Sequence, residues 1–309
     1  MKLSQLRDVL AVAETGSLRA AGRYLGIAQP AITRSIREIE HELGAALFER
    51  HAKGVRLTDI GRAFIVRAEA VQTELRRAKD EVAQLKGGLS GEISIALSTA
   101  SSMSLLPKAL TEFRKRYPDV VLKISETFFA PIERDLLSGR IDFYVGPFEA
   151  SSLANTFHVE KLFDNRRWIA ARRGHALAKA SSFAELAGAQ WLRPAIVDRS
   201  TEGDFESALA EIGLPNAQIV LHSRSALITM LTVANTELLT VLPQQWLDFP
   251  LTAQLIEALP LPPFRSAPMC VVRRQDMPLT PIAEYMSDLM CRAGAHYAYS
   301  LQPKITTPG

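Results

Sequence analysis

Four residues in one stretch have the types and spacing needed to read a nucleic acid. Gln29, Thr33 and Arg37 recur every four residues, and Arg34 flanks them. The Gln29 amide suits adenine, the Arg34 guanidinium suits guanine or phosphate, and the Thr33 hydroxyl suits either. Arg37, a turn further on, suits a grip on the sugar–phosphate backbone. At 100° per residue the same stretch gathers Ile32, Ile36, Ile39 and Leu43 into a separate, narrow arc. AQPAITRSIREIEHELG, residues 28–44, therefore predicts a helix anchored on its apolar side, with hydrogen-bonding groups on the other. A plain surface helix with solvated charges has the same outline, so the flanking segments must decide.

Those segments place the helix. Leu3, Leu6, Leu10 and Ala13 predict a first helix ending near Gly16. Ser17 is an N-cap for LRAAGRYL, whose Ala20, Ala21 and Leu25 can pack closely on a neighbour. Gly26 permits a tight turn, and Pro30 suits the opening turn of the quoted helix. Helix, glycine-containing turn and second helix make a helix-turn-helix, whose second helix enters the major groove. In LFERHAKGVRLTDIG, residues 47–61, LFER and VRLT predict two short strands joined by HAKG, a β-wing. Its Arg50, Lys53 and Arg56 are placed to contact phosphate, which makes affinity fall with salt.

Thr58 can cap a helix reaching about Lys86, roughly 42 Å long at 1.5 Å per residue. Its apolar residues Phe64, Ala68, Val71, Leu75, Ala78, Val82 and Leu85 alternate four and three apart, the seam of a coiled coil. Arg67, Glu74, Arg76, Arg77, Asp80 and Glu81 fall outside that seam. Such a helix needs a partner, either a second copy or the chain's own body. GGLSG, residues 87–91, follows a helix and lacks phosphate-loop spacing, so it is expected to be a linker.

In register, glycine positions and its Gln-Pro pair, AAGRYLGIAQPAITRSIREIEHELGAALFER followed by LTDIG resembles the N-terminal part of LysR-type transcriptional regulators. The resemblance extends over the whole chain and is most specific in the first 91 residues. Thr33 stands where serine is commoner in that family, keeping the hydroxyl and adding a methyl that can meet thymine. The resemblance implies an N-terminal winged helix-turn-helix at 1–58, all-α apart from its wing, and a linker and dimerisation helix with hinge at 59–91. It also implies a C-terminal α/β two-lobed, periplasmic-binding-protein-like effector-binding domain at 92–309. The first lobe would hold 92–160 and 267–296, the second 161–266. Implied partners are double-stranded promoter DNA through Gln29, Pro30, Thr33 and Arg34, a small-molecule effector, and RNA polymerase. A second copy of the chain is implied too, giving a homodimer that assembles to a homotetramer.

By pattern alone, the residues after 91 alternate strands and helices, an α/β arrangement with no set lobe count. EISIALS, VVLKISET, IDFYVGP, RRWIAARR, WLRPAIV, AQIVLHS, ELLTVLP and APMCVVRR predict strands. MSLLPKALTEFRKRYP, PIERDLLSGR, DFESALAEIG, SALITMLTVAN and TPIAEYMSDLMCRAG predict helices. Ligands in open α/β sheets lie beyond the carboxyl ends of strands, beside helix starts. One such place is STASS, with Ser98, Thr99, Ala100 and Ser101; hydroxyls and free N–H groups there suit an anion. A second is ETFF, with Thr127 beside Phe128. DRST supplies Arg199 and Ser200, and HSRS supplies His222 and Arg224 as counter-charges. The expected ligand is a small organic anion, with aromatic carboxylates and sulfonates as candidates; well-capped helices alone would give the same pattern. APMCVVRRQDMPLTPIAEY also resembles family members that govern aromatic sulfonate breakdown.

Composition is consistent with this reading. Of 309 residues, 47% are hydrophobic and 22% charged, an ordinary globular balance sufficient for more than one domain. Residues 1–90 carry a net charge of +4 and the remainder −1, a basic front on a neutral body. Two cysteines, Cys270 and Cys291, cannot build a disulfide framework, so a reducing, cytoplasmic setting is expected, with both thiols buried and inert. The opening MKLSQLRDVLAVAETG has charges inside its apolar pattern, unlike a signal peptide, and no apolar run approaches a membrane span. G-x-S-x-G, H-E-x-x-H, Walker and C-x-x-C patterns are absent, so no catalytic residue, metal or cofactor is expected. Two other classes stay open. A solute-binding protein would need an export signal and leaves the first ninety residues unused. An enzyme with an appended DNA-binding domain would show turnover in its C-terminal region.

Overall fold

The expected front helices form where their end signals fall. In a computed structural model describing residues 1–51, 54–149, 156–194 and 202–301, α1 spans Leu3–Thr15, α2 Leu18–Leu25 and α3 Gln29–Leu43. Ser17 caps α2 by accepting the Ala20 N–H at 3.4 Å. Gly26 ends that helix at φ +68°, a conformation that costs glycine little. Strands β1 (Phe48–His51) and β2 (Gly54–Leu57) pair antiparallel as the wing, with Glu49 opposite Arg56. Helix α4 (Asp59–Leu85) starts at Thr58, whose hydroxyl accepts the Gly61 N–H at 2.9 Å.

Two compact units result: residues 1–88 with 134–141, and 89–133 with the chain from 142 onward. The core of the first joins Val9, Val12, Ala21, Ile32, Ile36, Ile39, Leu47 and Ile65. Ile32 and Ile39 are fully buried, and each such side chain is worth about 1.5–3 kcal/mol over its exposed state. One sequence expectation fails here. Arg77, placed on the outside of α4 by its spacing, is 6% exposed, and its Nη2 donates to the Gly139 carbonyl at 3.3 Å. Helical periodicity locates a residue on a cylinder but says nothing of which later segment comes to cover it.

The second unit is α/β. Its chain order begins β3 (Gly91–Leu97), α5 (Thr99–Ser104), α6 (Leu106–Arg116), β4 (Val120–Glu126), α7 (Phe129–Leu137, ending in the first unit) and β5 (Phe143–Pro147). Next come β6 (Phe157–Arg172), β7 (Gln190–Pro194), α8 (Glu202–Glu211), β8 (Gln218–Ser223) and α9 (Ala226–Asn235). It closes with β9 (Thr240–Pro243), α10 (Gln244–Asp248), β10 (Ile256–Ala258), β11 (Phe264–Arg274) and α11 (Pro281–Ser300). β3 pairs in parallel with β4 and β5, and β11 runs antiparallel between β5 and β6. β9 and β10 pair with the far end of β6, while β7 and β8 form a separate parallel pair.

Two of its apolar cores mark two lobes. One joins Ile95, Phe113, Val145, Phe163, Met269 and Met286; the other joins Ile169, Trp191, Leu209, Leu239 and Leu259. β6 contributes to both, because sixteen strand residues extend about 50 Å. The sequence pattern showed only its RRWIAARR portion. A bulge in the β6–β11 pairing between Ser266 and Cys270 breaks the alternation that reveals a strand. MSLLPKALTEFRKRYP likewise differs, since helix begins earlier, at Thr99, and breaks at Leu105. Pro107 lacks the N–H that would continue α5 into α6. Gly91, expected in the linker, opens β3 instead.

Candidate nucleic-acid interface and ligand cleft

The two faces of α3 separate up to its last residue, Leu43, which was expected in the apolar arc but is exposed, because the helix ends there at Gly44. Ile32, Ile36 and Ile39 are buried, whereas Gln29, Pro30, Arg34 and Arg37 are exposed and Thr33 is half-exposed. Those five, with Glu38 and His41, line one shallow open depression on the surface. Local hydrogen bonds already commit some of their atoms. Thr33 donates its hydroxyl hydrogen to the Gln29 carbonyl at 3.1 Å, so it presents its methyl and acceptor lone pairs outward. Arg34 Nε donates to Glu38 Oε1 at 2.7 Å, and that bond holds the Glu38 carboxyl below its ordinary range. Sequence reasoning missed Glu38 and His41. Glu38 stands four residues after Arg34, the helical ion-pair spacing that would have revealed it.

In the wing, Arg50 and Arg56 are exposed, and Arg56 Nε is paired with Glu49 on the facing strand. Lys53 lies outside the described residues. Along α4 the seam residues divide. Ala68 is buried and Phe64 half-buried on the front core, while Val71, Leu75, Ala78, Val82 and Leu85 are exposed. An apolar row left open along a helix of this length invites a partner surface.

At the carboxyl ends of β3, β4 and β5 the chain converges. Ser98 N–H donates to the Val145 carbonyl and Thr127 N–H to the Leu97 carbonyl, both at 2.9 Å. Ser98 is 2% exposed and caps α5, accepting the Ser101 N–H at 3.2 Å and sharing a hydrogen with Ser101 Oγ at 2.8 Å. Ser101 Oγ also reaches the Val145 carbonyl at 2.8 Å. Ala100 is buried. Thr99 donates to Glu126 Oε1 at 2.6 Å, placing an unforeseen carboxylate beside the expected anion site. Thr127 and Phe128 are half-buried, and the dense aromatic packing belongs to Phe129, whose ring lies 4.4 Å from Phe148 and 5.3 Å from Phe157.

From the second lobe, α10 packs against α5, and Met103 of α5 joins a cluster with Leu192, Leu242 and Trp246. On α10, Gln245 is 1% exposed, and among the described residues its Oε1 has no hydrogen-bond partner. No sequence signal marked it. His222 and Arg224 are exposed, and among the described residues no hydrogen bond joins them to the Ser98–Thr127 group. Arg199 and Ser200 lie outside the described residues.

Burial pushes the Cys270 thiol up to about 11 and the Cys291 thiol up to about 12. Cys291 is only half-buried, against expectation. No helix among the described residues is long and apolar enough to cross a membrane.

Two family models match the chain. Residues 3–62 match the bacterial regulatory helix-turn-helix protein model of the lysR family, and residues 86–293 match the LysR substrate binding domain. The HTH-type transcriptional regulator GbpR of Rhizobium radiobacter is 27% identical over 253 residues, covering 80% of this chain and 83% of that protein. Full-length CbnR complexed with its target DNA aligns with a TM-score of 0.64 at 21% identity, over 95% of this chain and 100% of that one. Full-length LysG from Corynebacterium glutamicum with bound effector Arg aligns at 0.65 and 21% identity, over 96% and 99%. At such identities the two structures speak for the fold alone.

Proposed function

The chain belongs to the LysR family of bacterial transcriptional regulators, and from that premise we propose that it binds promoter DNA through α3 and the wing and answers to a small organic anion held between its two effector lobes. The observation that carries the DNA-binding part is α3 itself, with a buried isoleucine side and an exposed side bearing Gln29, Thr33, Arg34 and Arg37. Gln29 and Arg34 read base edges, Thr33 offers an acceptor and a methyl, and Arg37, Arg50, Lys53 and Arg56 hold phosphate. Footprinting of the purified chain on DNA upstream of its own and adjoining genes, at low ionic strength, tests this. A protected tract that shrinks with salt is expected; no protected tract anywhere would refute it.

For the ligand, the converging strand ends at Ser98, Thr99 and Thr127 support a cleft, and the Phe128–Phe129 pair supports an aromatic acid. Gln245, facing no partner of its own, joins Ser98, Ala100 and Ser101 as a candidate wall. Arg199, Ser200, His222 and Arg224 supply the second-lobe contacts in this reading. Effector binding then favours one arrangement of the assembled subunits over another. The open row Val71, Leu75, Ala78, Val82 and Leu85, with Phe64 and Ala68 at its start, supports pairing of two copies along α4. Tetramer assembly and contact with RNA polymerase complete the proposal.

A further inference from the structure

We propose that Glu38 sets the base preference of this protein by positioning Arg34, a role that rests on the DNA-reading function proposed above. An exposed carboxylate on a surface that must approach phosphates weakens binding by simple repulsion. An exposed helical ion pair also adds little to folding. The Glu38 carboxylate is nevertheless held at both oxygens. Oε1 accepts Arg34 Nε at 2.7 Å, and Oε2 accepts Gln5 Nε2 at 3.0 Å. Gln5 is itself oriented, because its Oε1 accepts the Lys2 N–H at 2.7 Å; the amide oxygen must face that donor, which turns the amide nitrogen toward the carboxylate. A chain of three hydrogen bonds thus runs from the start of α1 to the guanidinium on α3.

Arg34 enters this chain through Nε alone. Its terminal Nη1 and Nη2 remain a planar two-donor fork, and among the described residues no carboxylate occupies it. An end-on fork matches the O6 and N7 acceptors of guanine. Holding the side chain before contact removes part of the rotamer entropy that a free arginine loses on binding. The negative charge beside Nε also repels a phosphate from that edge. Both effects move Arg34 from backbone contact toward base contact, resolving the two roles its residue type allowed.

The test uses the full-length protein and selection of preferred duplexes from a random library, with wild type, E38A, E38Q, Q5A, R34A and the E38A/R34A pair. E38A should bind random duplex as tightly as wild type or more so. Its preference at one base pair should fall about three- to tenfold, and that base pair should be the one whose preference R34A abolishes. E38Q keeps a neutral acceptor and should fall between. In the R34A background, E38A should change nothing further in the base profile. Q5A should weaken the same base pair to a smaller degree, and all variants should melt with wild type. An E38A profile identical to that of a sequence-specific wild type would overturn the positioning role alone. A profile change that persists in R34A would overturn it too, making Glu38 a base reader itself. A wild type that selects no sequence would bring down the DNA-reading function and this role together.

Discussion

A side-chain carbon at Gly54, in the wing, would lie 2.3 Å from the Gly16 carbonyl oxygen at the end of α1, the same oxygen that accepts the Val55 N–H at 2.9 Å. Gly54 also sits at φ +142°, a region other residues seldom enter. The wing is therefore docked on the helix-turn-helix through backbone contact. Gly54→Ala should destabilise the chain by about 1–3 kcal/mol through combined clash and strain. It should also reduce affinity for random duplex, since Arg50 and Arg56 move with the wing. An unchanged melting temperature would show that the wing adjusts freely.

Gln29→Ala and Arg34→Ala should each weaken operator binding by roughly 1–3 kcal/mol while leaving random-duplex affinity nearly intact. Arg37→Ala should lower affinity for every sequence alike and reduce the salt slope by about one. Titrations of labelled duplexes at several salt concentrations separate the two patterns. Equal losses on operator and random DNA would assign Gln29 and Arg34 to phosphate.

Leu75 is 37% exposed in the middle of the open α4 row. A charge there should prevent two copies from meeting, so Leu75→Asp in a fragment of residues 1–90 should sediment as a monomer, whereas the unsubstituted fragment should sediment as a dimer. A dimer that survives the substitution would refute the seam.

Thr127→Ala combined with Ser98→Ala should abolish the effector response and spare DNA binding. Ser98 caps α5, so about 1 kcal/mol of stability is lost with it. Thr127→Ala alone, with no cap to lose, keeps the reading separate from that cost. Calorimetric titration with small aromatic carboxylates and sulfonates provides the measurement. Binding that is unchanged in both variants would place the ligand elsewhere.

The thiols of Cys270 and Cys291, pushed up to about 11 and about 12 by burial, expose almost no thiolate near neutrality. At pH 8 the fraction at Cys270 is about one in a thousand, and reactivity follows the thiolate. Because the raised values disfavour the charged form, labelling by iodoacetamide should stay slow at pH 8 in the native chain and accelerate only at much higher pH. Mass spectrometry after denaturation should find both residues labelled. Rapid native labelling of Cys291 would contradict its assignment as inert.

The front of the molecule was legible residue by residue because its signals are local. Ser17, Gly26 and Pro30 act on backbone groups within four positions of themselves, as does the cap that Thr58 makes with Gly61, and the isoleucines of α3 repeat with the helix period. Family membership was legible for the same reason, in the register of 20–50 followed by LTDIG. What sequence alone could not decide depends on distant partners. Arg77 looked solvated until residues 134–141 covered it, and β6 looked half its length because its bulge disguises the alternation. Glu126 met Thr99 only when β4 aligned beside β3. Helix α10, which carries Gln245, meets α5 although their nearest ends, Ser104 and Gln244, stand 140 positions apart. Hydrogen bonds to neighbours in sequence are written in residue types and spacing; those between segments far apart exist only once the sheet has brought its strand ends together.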